Sequence, residues 1–118
     1  GVRFDGDGVE ARDRVRANFA PYYATPVYNR FLAWAGYEAV ADTISEGWAA
    51  RDRQKTTGAI SDELVHEIAV IGSAEECRER IRWAHDTGIH THIIAPLTAD
   101  PAEAMRTFEA FTPDKFPL

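Results

Sequence analysis

Residues 60–96 constrain the fold more than any other part of the chain, because they combine two apolar runs with a helical segment and almost no linker. The first run, residues 68–71, is short, apolar and rich in β-branched side chains, which favours a strand buried on both faces. The second run, residues 91–96, has a similar character. A strand, a helix and another strand in this order predict a βαβ unit with parallel strands.

The helix between these two runs is marked by signals at both of its ends. Gly72 ends the first strand, and Ser73 with Glu76 three residues later predicts a capping box that begins a helix. Gly88 suits the left-handed position just after a helix and therefore marks its end. The apolar stripe of this helix consists of Ala74, Cys77, Ile81 and Ala84.

The N-terminal half of the chain predicts helices. Val15, Phe19 and Tyr22 recur at helical spacing and predict a first helix. Pro21 limits this helix, because a proline inside a helix costs about 3 kcal/mol. Residues 2–4, which precede it, predict the frayed end of a strand.

Further helices follow along the chain. Thr25 and Pro26 predict the start of a second helix, which runs to residue 35 and breaks at Gly36. Residues 51–58 carry no apolar side chain and are interpreted as an exposed linker. A third helix lies between that break and the linker, with an apolar stripe of Val40, Ile44 and Trp48.

The C-terminal half contains two more predicted helices besides the capped one. Residues 61–65 predict a short helix that leads directly into the first buried strand. Asp100 and Pro101 predict the start of the last helix, because an acidic N-cap before proline favours helix initiation. This helix carries Met105, Phe108 and Phe111 on one side.

The composition bounds both the fold and the partners. The chain has 118 residues, 45% of them apolar, so we expect one domain over residues 1–118, helical over 1–58 and with two strand–helix units over 59–118. A net charge of −6 disfavours binding to nucleic acid or to an anionic membrane surface. No apolar run is long enough to span a membrane. Cys77 is the only cysteine, which excludes an intrachain disulfide and favours a reducing cytoplasm.

Two pairs of residues, Gly72 with Ser73 and His90 with His92, are candidates for binding. Gly72 and Ser73 lie where a strand ends and a helix begins, where free backbone N–H groups favour an anion such as a phosphate. A plain helix cap explains the same two residues. His90 and His92 lie two apart in the predicted second strand and share one face.

Two imidazoles on one face could begin a metal site, but a third ligand is needed. No residue at ligand spacing supplies it, and His66 and His85 could approach only through folding. We therefore interpret His90 and His92 as partly exposed histidines of an edge strand and predict no metal site.

The ordered motifs of this chain resemble the C-terminal part of the luciferase-like flavin- and deazaflavin-dependent oxidoreductases. In the second half the matching segments are Asp-Glu-Leu-Val at 62–65, the strand at 68–71, Gly-Ser-Ala-Glu-Glu at 72–76 and Thr-Gly-Ile at 87–89. In the first half, Tyr-Tyr-Ala-Thr-Pro-Val-Tyr at 22–28 and Gly-Tyr at 36–37 resemble the family's region between the sixth and seventh strands. The resemblance covers about residues 9–111.

The resemblance implies an α/β fold that is part of a (β/α)8 barrel, helix-rich and with about two parallel strands. Residues 68–71 and 91–96 would be the seventh and eighth strands, and residues 2–4 a remnant of the sixth. The first five strands, which carry most cofactor contacts in the family, would be absent.

An intact barrel of this family would bind FMN or a deazaflavin coenzyme and transfer a hydride between its ring and a small-molecule substrate. Loops after strands seven and eight bind phosphate in many barrels, so Gly72 and Ser73 are candidates for cofactor binding. We expect this chain alone to bind no cofactor tightly and to be inactive, and no catalytic residue is assigned.

The tyrosine-rich region flanks the substrate entrance in the family, which implies a substrate-binding role for Tyr22, Tyr23 and Tyr28. An aromatic stripe at helical spacing is more often part of a core, and both interpretations stay open.

Two rival functions are compatible with the sequence. The chain could be a non-catalytic oligomerisation or binding module derived from a half-barrel, or a small enzyme with its own site among the tyrosines and histidines. Open strand edges favour pairing with another chain. Trp83 points about 120° away from the apolar stripe of its helix. Both features predict a homo-oligomer.

Overall fold

The structure, a computed structural model, describes residues 1–3 and 8–118. Phe4, the last residue of the predicted first strand, lies outside these residues. The elements are β1 (Val2–Arg3), α1 (Gly8–Tyr23), α2 (Pro26–Leu32), α3 (Glu38–Ala49), α4 (Arg53–Gly58), α5 (Asp62–Ile68), β2 (Val70–Ile71), α6 (Ala74–Asp86) and α7 (Pro101–Ala110). Contacts divide the chain into two compact units, Val15–Val65 and the combination of Gly1–Arg14 with His66–Leu118.

The two strands are parallel and correspond to the expected remnant of the sixth strand and to the seventh strand, whereas the predicted pairing of residues 68–71 with residues 91–96 is not found among the described residues. β1 pairs with β2, so that Val2 lies opposite Val70 and Arg3 opposite Ile71. Residues 91–95 form no strand, and Ile93 is 90% exposed. An extended segment needs a neighbouring strand to accept and donate its backbone hydrogen bonds. Of the predicted eighth strand only Pro96 forms a bridge, so the prediction is wrong for residues 91–95.

The first buried strand is shorter than predicted. Helix α5 continues through Ile68, and β2 contains only Val70 and Ile71. Strand β2 is followed at once by Gly72 and the start of α6, as predicted. The described residues are therefore helix-rich with one short parallel pair and do not close into a barrel.

The unit Val15–Val65 has a core of side chains from α1, α3 and α5. Its fully buried members are Val15, Ile44, Ile60, Leu64 and Val65. The side chain of Asn29 on α2 donates hydrogen bonds to the carbonyl oxygens of Tyr23 (3.0 Å) and Ala41 (2.8 Å). These two bonds connect α2 to the end of α1 and to α3.

The break at Gly36 is confirmed. α2 ends at Leu32, slightly earlier than predicted, and a π-helical turn at Ala33–Tyr37 separates it from α3. Gly36 has a φ of 99°, which only glycine adopts without strain. Pro21 lies in the last turn of α1, which ends two residues later at Tyr23.

Residues 51–58 are not a linker. Asp52 caps α4 by accepting a hydrogen bond from the backbone N–H of Lys55 (2.9 Å), and Thr56 is buried. Gly47 on α3 allows this close packing, because a Cβ atom there would lie 2.9 Å from the backbone nitrogen of Thr56. The segment is exposed as predicted except at Thr56 and Thr57, but it forms a capped helix that packs on α3 through Thr56.

Helices α6 and α7 form the core of the other unit. Cys77 and Ala110 are buried there, with Val70, Ala74, Ile94 and Phe111 packed against them. α6 begins and ends where the sequence predicted, with Ser73 as N-cap and Gly88 at a φ of 102° just beyond its end. The predicted burial of Cys77 is confirmed.

Two predicted apolar stripes are only partly covered. On α3 the buried residues are Ala41, Ile44 and Gly47, whereas Trp48 is 53% exposed. On α7 the buried face contains Thr107 and Ala110, whereas Met105 and Phe108 are exposed. Helical periodicity identified these helices, but the neighbouring elements determine which face is covered.

Candidate functional site

Gly72 and Ser73 form the turn between β2 and α6. Gly72 has a φ of 142°, and a Cβ atom there would lie 2.8 Å from the Glu76 carboxylate. The Glu76 oxygen Oε2 accepts hydrogen bonds from the Ser73 backbone N–H (2.7 Å) and the Ser73 hydroxyl (2.8 Å). The Glu76 N–H in turn donates to Ser73 Oγ at 3.3 Å, which confirms the capping box.

The Glu76 carboxylate occupies the donors that a phosphate would use at this turn. The hydrogen bonds from the Ser73 backbone and the Ser73 hydroxyl hold the pKa of Glu76 below its usual value of 4.5. A second anion here would compete with this carboxylate for the same N–H and O–H groups and would be repelled by it. In this conformation both Ser73 donors belong to the helix cap, and a phosphate reaches them only if the Glu76 carboxylate moves away.

The three candidate tyrosines lie around one groove, which we call the tyrosine groove. Its volume is about 500 Å³, and it is lined by Phe19, Tyr22, Tyr23, Val27, Tyr28 and Phe31. The Tyr22 and Tyr28 rings meet edge to face with 5.7 Å between their centroids. The Phe19 ring lies 6.2 Å from that of Tyr22 and 6.4 Å from that of Tyr23.

The tyrosines differ in burial, so the interpretation of the stripe as core is wrong for most of its members. Tyr23 is buried, and this burial raises the pKa of its hydroxyl. Tyr22 and Tyr28 are 58% and 48% exposed. The fully buried positions of this unit are held by aliphatic residues instead, which leaves these rings on the surface. An exposed aromatic groove can receive an apolar small molecule.

In the structure His85 lies close to His90 and His92, the two histidines identified from the sequence. The His85 ring on α6 lies 5.1 Å from the His90 ring and 5.8 Å from the His92 ring. His85 Nδ1 and His92 Nε2 are buried and have no hydrogen-bond partner in the described structure. His90 is exposed and His92 is partly exposed, as interpreted, but residues 91–95 form no strand, so their assignment to an edge strand is wrong. Within residues 1–3 and 8–118, no group of three His, Cys, Asp or Glu side chains is arranged to hold a metal ion.

Sequence reasoning missed a pocket of the unit Val15–Val65, which we call the arginine pocket. It has a volume of about 440 Å³, and its lining includes Trp48, Arg51, Asp52, Arg53, Thr56 and Thr57. Five of these six residues lie in the segment interpreted as a linker. The sequence signal that indicates this pocket is the pair Arg51 and Arg53, which closely follows Trp48.

None of the described helices has the length and apolar character needed to cross a membrane.

Comparison of the sequence with known protein families gives a match, which includes the tyrosine groove. The sequence profile described as luciferase-like monooxygenase matches residues 8–91. No curated protein and no solved structure matches significantly. The matched residues contain α1 to α6, and therefore the tyrosine groove and the capped turn at Ser73. Because the match covers well over half of its length, the chain belongs to the luciferase-like monooxygenase family.

Proposed function

We propose that this chain is the C-terminal portion of a flavin- or deazaflavin-dependent oxidoreductase barrel that transfers a hydride to or from a small molecule. The luciferase-like family is of oxidoreductase type and generally uses flavin cofactors. The observation that carries the proposal is the parallel pairing of β1 with β2, with the capped helix α6 directly after β2. Adjacent parallel strands with a helix after each are the repeating unit of a barrel.

The cofactor, when bound, supplies the hydride chemistry, and the protein positions it. Gly72 and Ser73 are our candidates for contact with its phosphate. Because Glu76 occupies both donors of Ser73 in this structure, that contact requires the carboxylate to move away. We therefore assign no catalytic step to residues of this chain and propose that the chain alone is inactive.

The tyrosine groove is our candidate for the substrate side of the site. Tyr22 and Tyr28 are about half exposed and meet edge to face, and the buried Tyr23 packs near them beside Phe19. Such a surface favours an apolar or aromatic small molecule and provides few charged groups to bind a polar one. Its role is to hold the substrate and exclude water.

The sequence encoded upstream of Gly1 tests the barrel assignment most directly. A (β/α)8 barrel takes about 250 residues, and more than about 400 with insertions. We expect about 200 preceding codons that alternate between strand and helix patterns. A start codon directly before Gly1, or an upstream domain of another class, contradicts the assignment.

Titration with FMN and with a deazaflavin tests the cofactor proposal on the chain itself. We expect a colourless protein and no stoichiometric change in absorbance or fluorescence. Tight binding of either cofactor contradicts this expectation and places a complete site on Gly72, Ser73 and the tyrosines.

The phosphate contact is tested by thermal shift with inorganic phosphate. Glu76→Gln removes the competing charge and keeps a capping side chain, so we expect a larger phosphate-dependent stabilisation than in the unmodified chain. Ser73→Ala should abolish that gain. An equal effect of phosphate on all three proteins leaves Ser73 as a helix cap only.

A second candidate function is a non-catalytic module that self-associates. Exposed apolar side chains favour it: Trp34 is 83% exposed and Trp83 is 58% exposed, one in each unit. Large exposed apolar residues are typical of surfaces that another chain covers. A homo-oligomer is compatible with either function, and its test is described in the Discussion.

A further inference from the structure

The arginine pocket lies entirely within the unit Val15–Val65. Residues of α1, α3 and α4 line it, and its apolar lining includes Ala17, Ala20, Pro21 and Gly47. A volume of about 440 Å³ is within the range of small-molecule sites in proteins. Because Ala17, Ala20 and Gly47 have small side chains or none, they leave the volume of the pocket unfilled.

The charged groups of this pocket favour an anion. Arg51 and Arg53 make no ion pair and no side-chain hydrogen bond with any described residue. Asp52, between them in sequence, accepts the Lys55 backbone N–H as the cap of α4. With two guanidinium groups and one carboxylate, the lining carries one net positive charge in a chain whose net charge is −6.

The threonine hydroxyls do not supply further donors. Thr56 Oγ1 donates to the carbonyl oxygen of Asp52 (2.7 Å), and Thr57 Oγ1 donates to that of Arg53 (2.8 Å). Their protons are therefore used within the helix. The guanidinium groups remain as the donors for a ligand, and their planar geometry matches a carboxylate or a phosphate.

Trp48 adds a planar apolar surface beside these charges. Its side chain is 53% exposed although indole is largely apolar. An aromatic ring of a ligand could stack on it, while the anionic group of the same ligand reaches an arginine. This combination selects for a molecule with both features.

We propose that the arginine pocket binds a small planar anion, with its carboxylate or phosphate on Arg51 and Arg53 and its ring on Trp48. This site is independent of the tyrosine groove and of the turn at Ser73. It therefore holds whether or not the proposed oxidoreductase function is correct.

Titration of the ¹⁵N-labelled chain with phenyl phosphate and benzoate, followed by NMR, tests the proposal. We expect saturable shifts at the Trp48 indole N–H and at the amides of residues 51–57. Benzyl alcohol, which keeps the ring, and inorganic phosphate, which keeps the charge, should each bind about tenfold more weakly or worse. Absence of shifts with both phenyl phosphate and benzoate overturns the proposal. Binding of benzyl alcohol or of inorganic phosphate with the same affinity as phenyl phosphate overturns it as well.

Three variants test the assignment of the residues. Arg53→Gln and Trp48→Ala should each weaken phenyl phosphate binding about tenfold. Arg51→Gly removes the guanidinium while relieving the backbone strain of Arg51, whose φ is 57°. It should therefore fold at least as well as the unmodified chain and still lose affinity.

Arg106→Gln on α7, in the other unit, is the matched control for charge. We expect it to leave the affinity unchanged. An equal loss in Arg106→Gln and Arg53→Gln shows a general effect of net charge and overturns the site. Unchanged affinity in both Arg51→Gly and Arg53→Gln overturns it as well.

Discussion

The guanidinium of Arg78 donates two hydrogen bonds to the backbone carbonyl oxygen of Ala110, from Nε at 3.0 Å and from Nη2 at 2.9 Å. Ala110 is the last residue of α7, where carbonyl groups have no partner within the helix. A positive charge at that end also interacts favourably with the helix dipole. Arg78 therefore connects α6 to the C-terminus of α7.

We expect Arg78→Met to destabilise the chain by about 2 kcal/mol, because it removes charged hydrogen bonds to a buried residue. Urea denaturation monitored by circular dichroism measures this loss. Arg106→Met on the exposed face of α7 is the control and should change stability by less than about 0.5 kcal/mol. Similar losses in both variants contradict a specific role for Arg78.

Gly47→Ala should destabilise the chain by about 1–3 kcal/mol, since the new Cβ would collide with the backbone of α4. The predicted contact of 2.9 Å to the Thr56 nitrogen leaves no flexible group to move aside. Gly58→Ala is the matched control, because a Cβ there meets nothing within 4 Å. It should stabilise the chain by about 0.5 kcal/mol through the higher helix propensity of alanine. Equal effects of the two substitutions on the urea midpoint contradict the close approach of α3 and α4.

Stability should decrease as the pH falls below about 4.5. The pKa of Glu76 is lowered by hydrogen bonds from Ser73, and that of Glu46 is lowered by the hydrogen bond and charge of Lys55. A carboxyl group whose pKa is lower in the folded chain stabilises it above the unfolded pKa, and this contribution is lost as the pH falls through the folded pKa. Thermal unfolding in buffers on both sides of pH 4.5 measures the effect. Glu76→Gln should flatten part of this dependence, and an unchanged profile in that variant contradicts the role of Glu76.

We expect the chain to form a homo-oligomer in which Trp83 contributes to the contact. The exposure predicted for Trp83 is confirmed, and the Arg80 guanidinium lies 4.8 Å from the centre of its ring. Light scattering at micromolar concentration measures the mass, and a monomer of 13.2 kDa contradicts the prediction. Trp83→Ala should weaken the association, with Trp34→Ala as a control on the other unit. If Trp83→Ala associates as strongly as the unmodified chain, Trp83 does not contribute to the contact.

Features that depend on neighbours a few residues apart were predictable from the sequence. The capping box of Ser73 and Glu76, the end of α6 at Gly88 and the break at Gly36 all follow from local backbone and side-chain chemistry. The family was also recognisable, because its motifs recur in a fixed order along the chain. The proximity of Tyr22 and Tyr28 follows from their positions on either side of one turn.

Other features depend on groups that are distant in sequence. The strand predicted at residues 91–96 formed only a bridge at Pro96, because a strand needs a partner and no described segment provides one along residues 91–95. α4 is held by its approach to Gly47, and the His85 ring meets those of His90 and His92 only after folding. The sequence by itself determined where α6 begins and ends and where the chain breaks at Gly36, since those signals act over three or four residues. The tertiary structure decided which strands pair and which aromatic faces are covered, because hydrogen-bond partners and packed neighbours come from other elements.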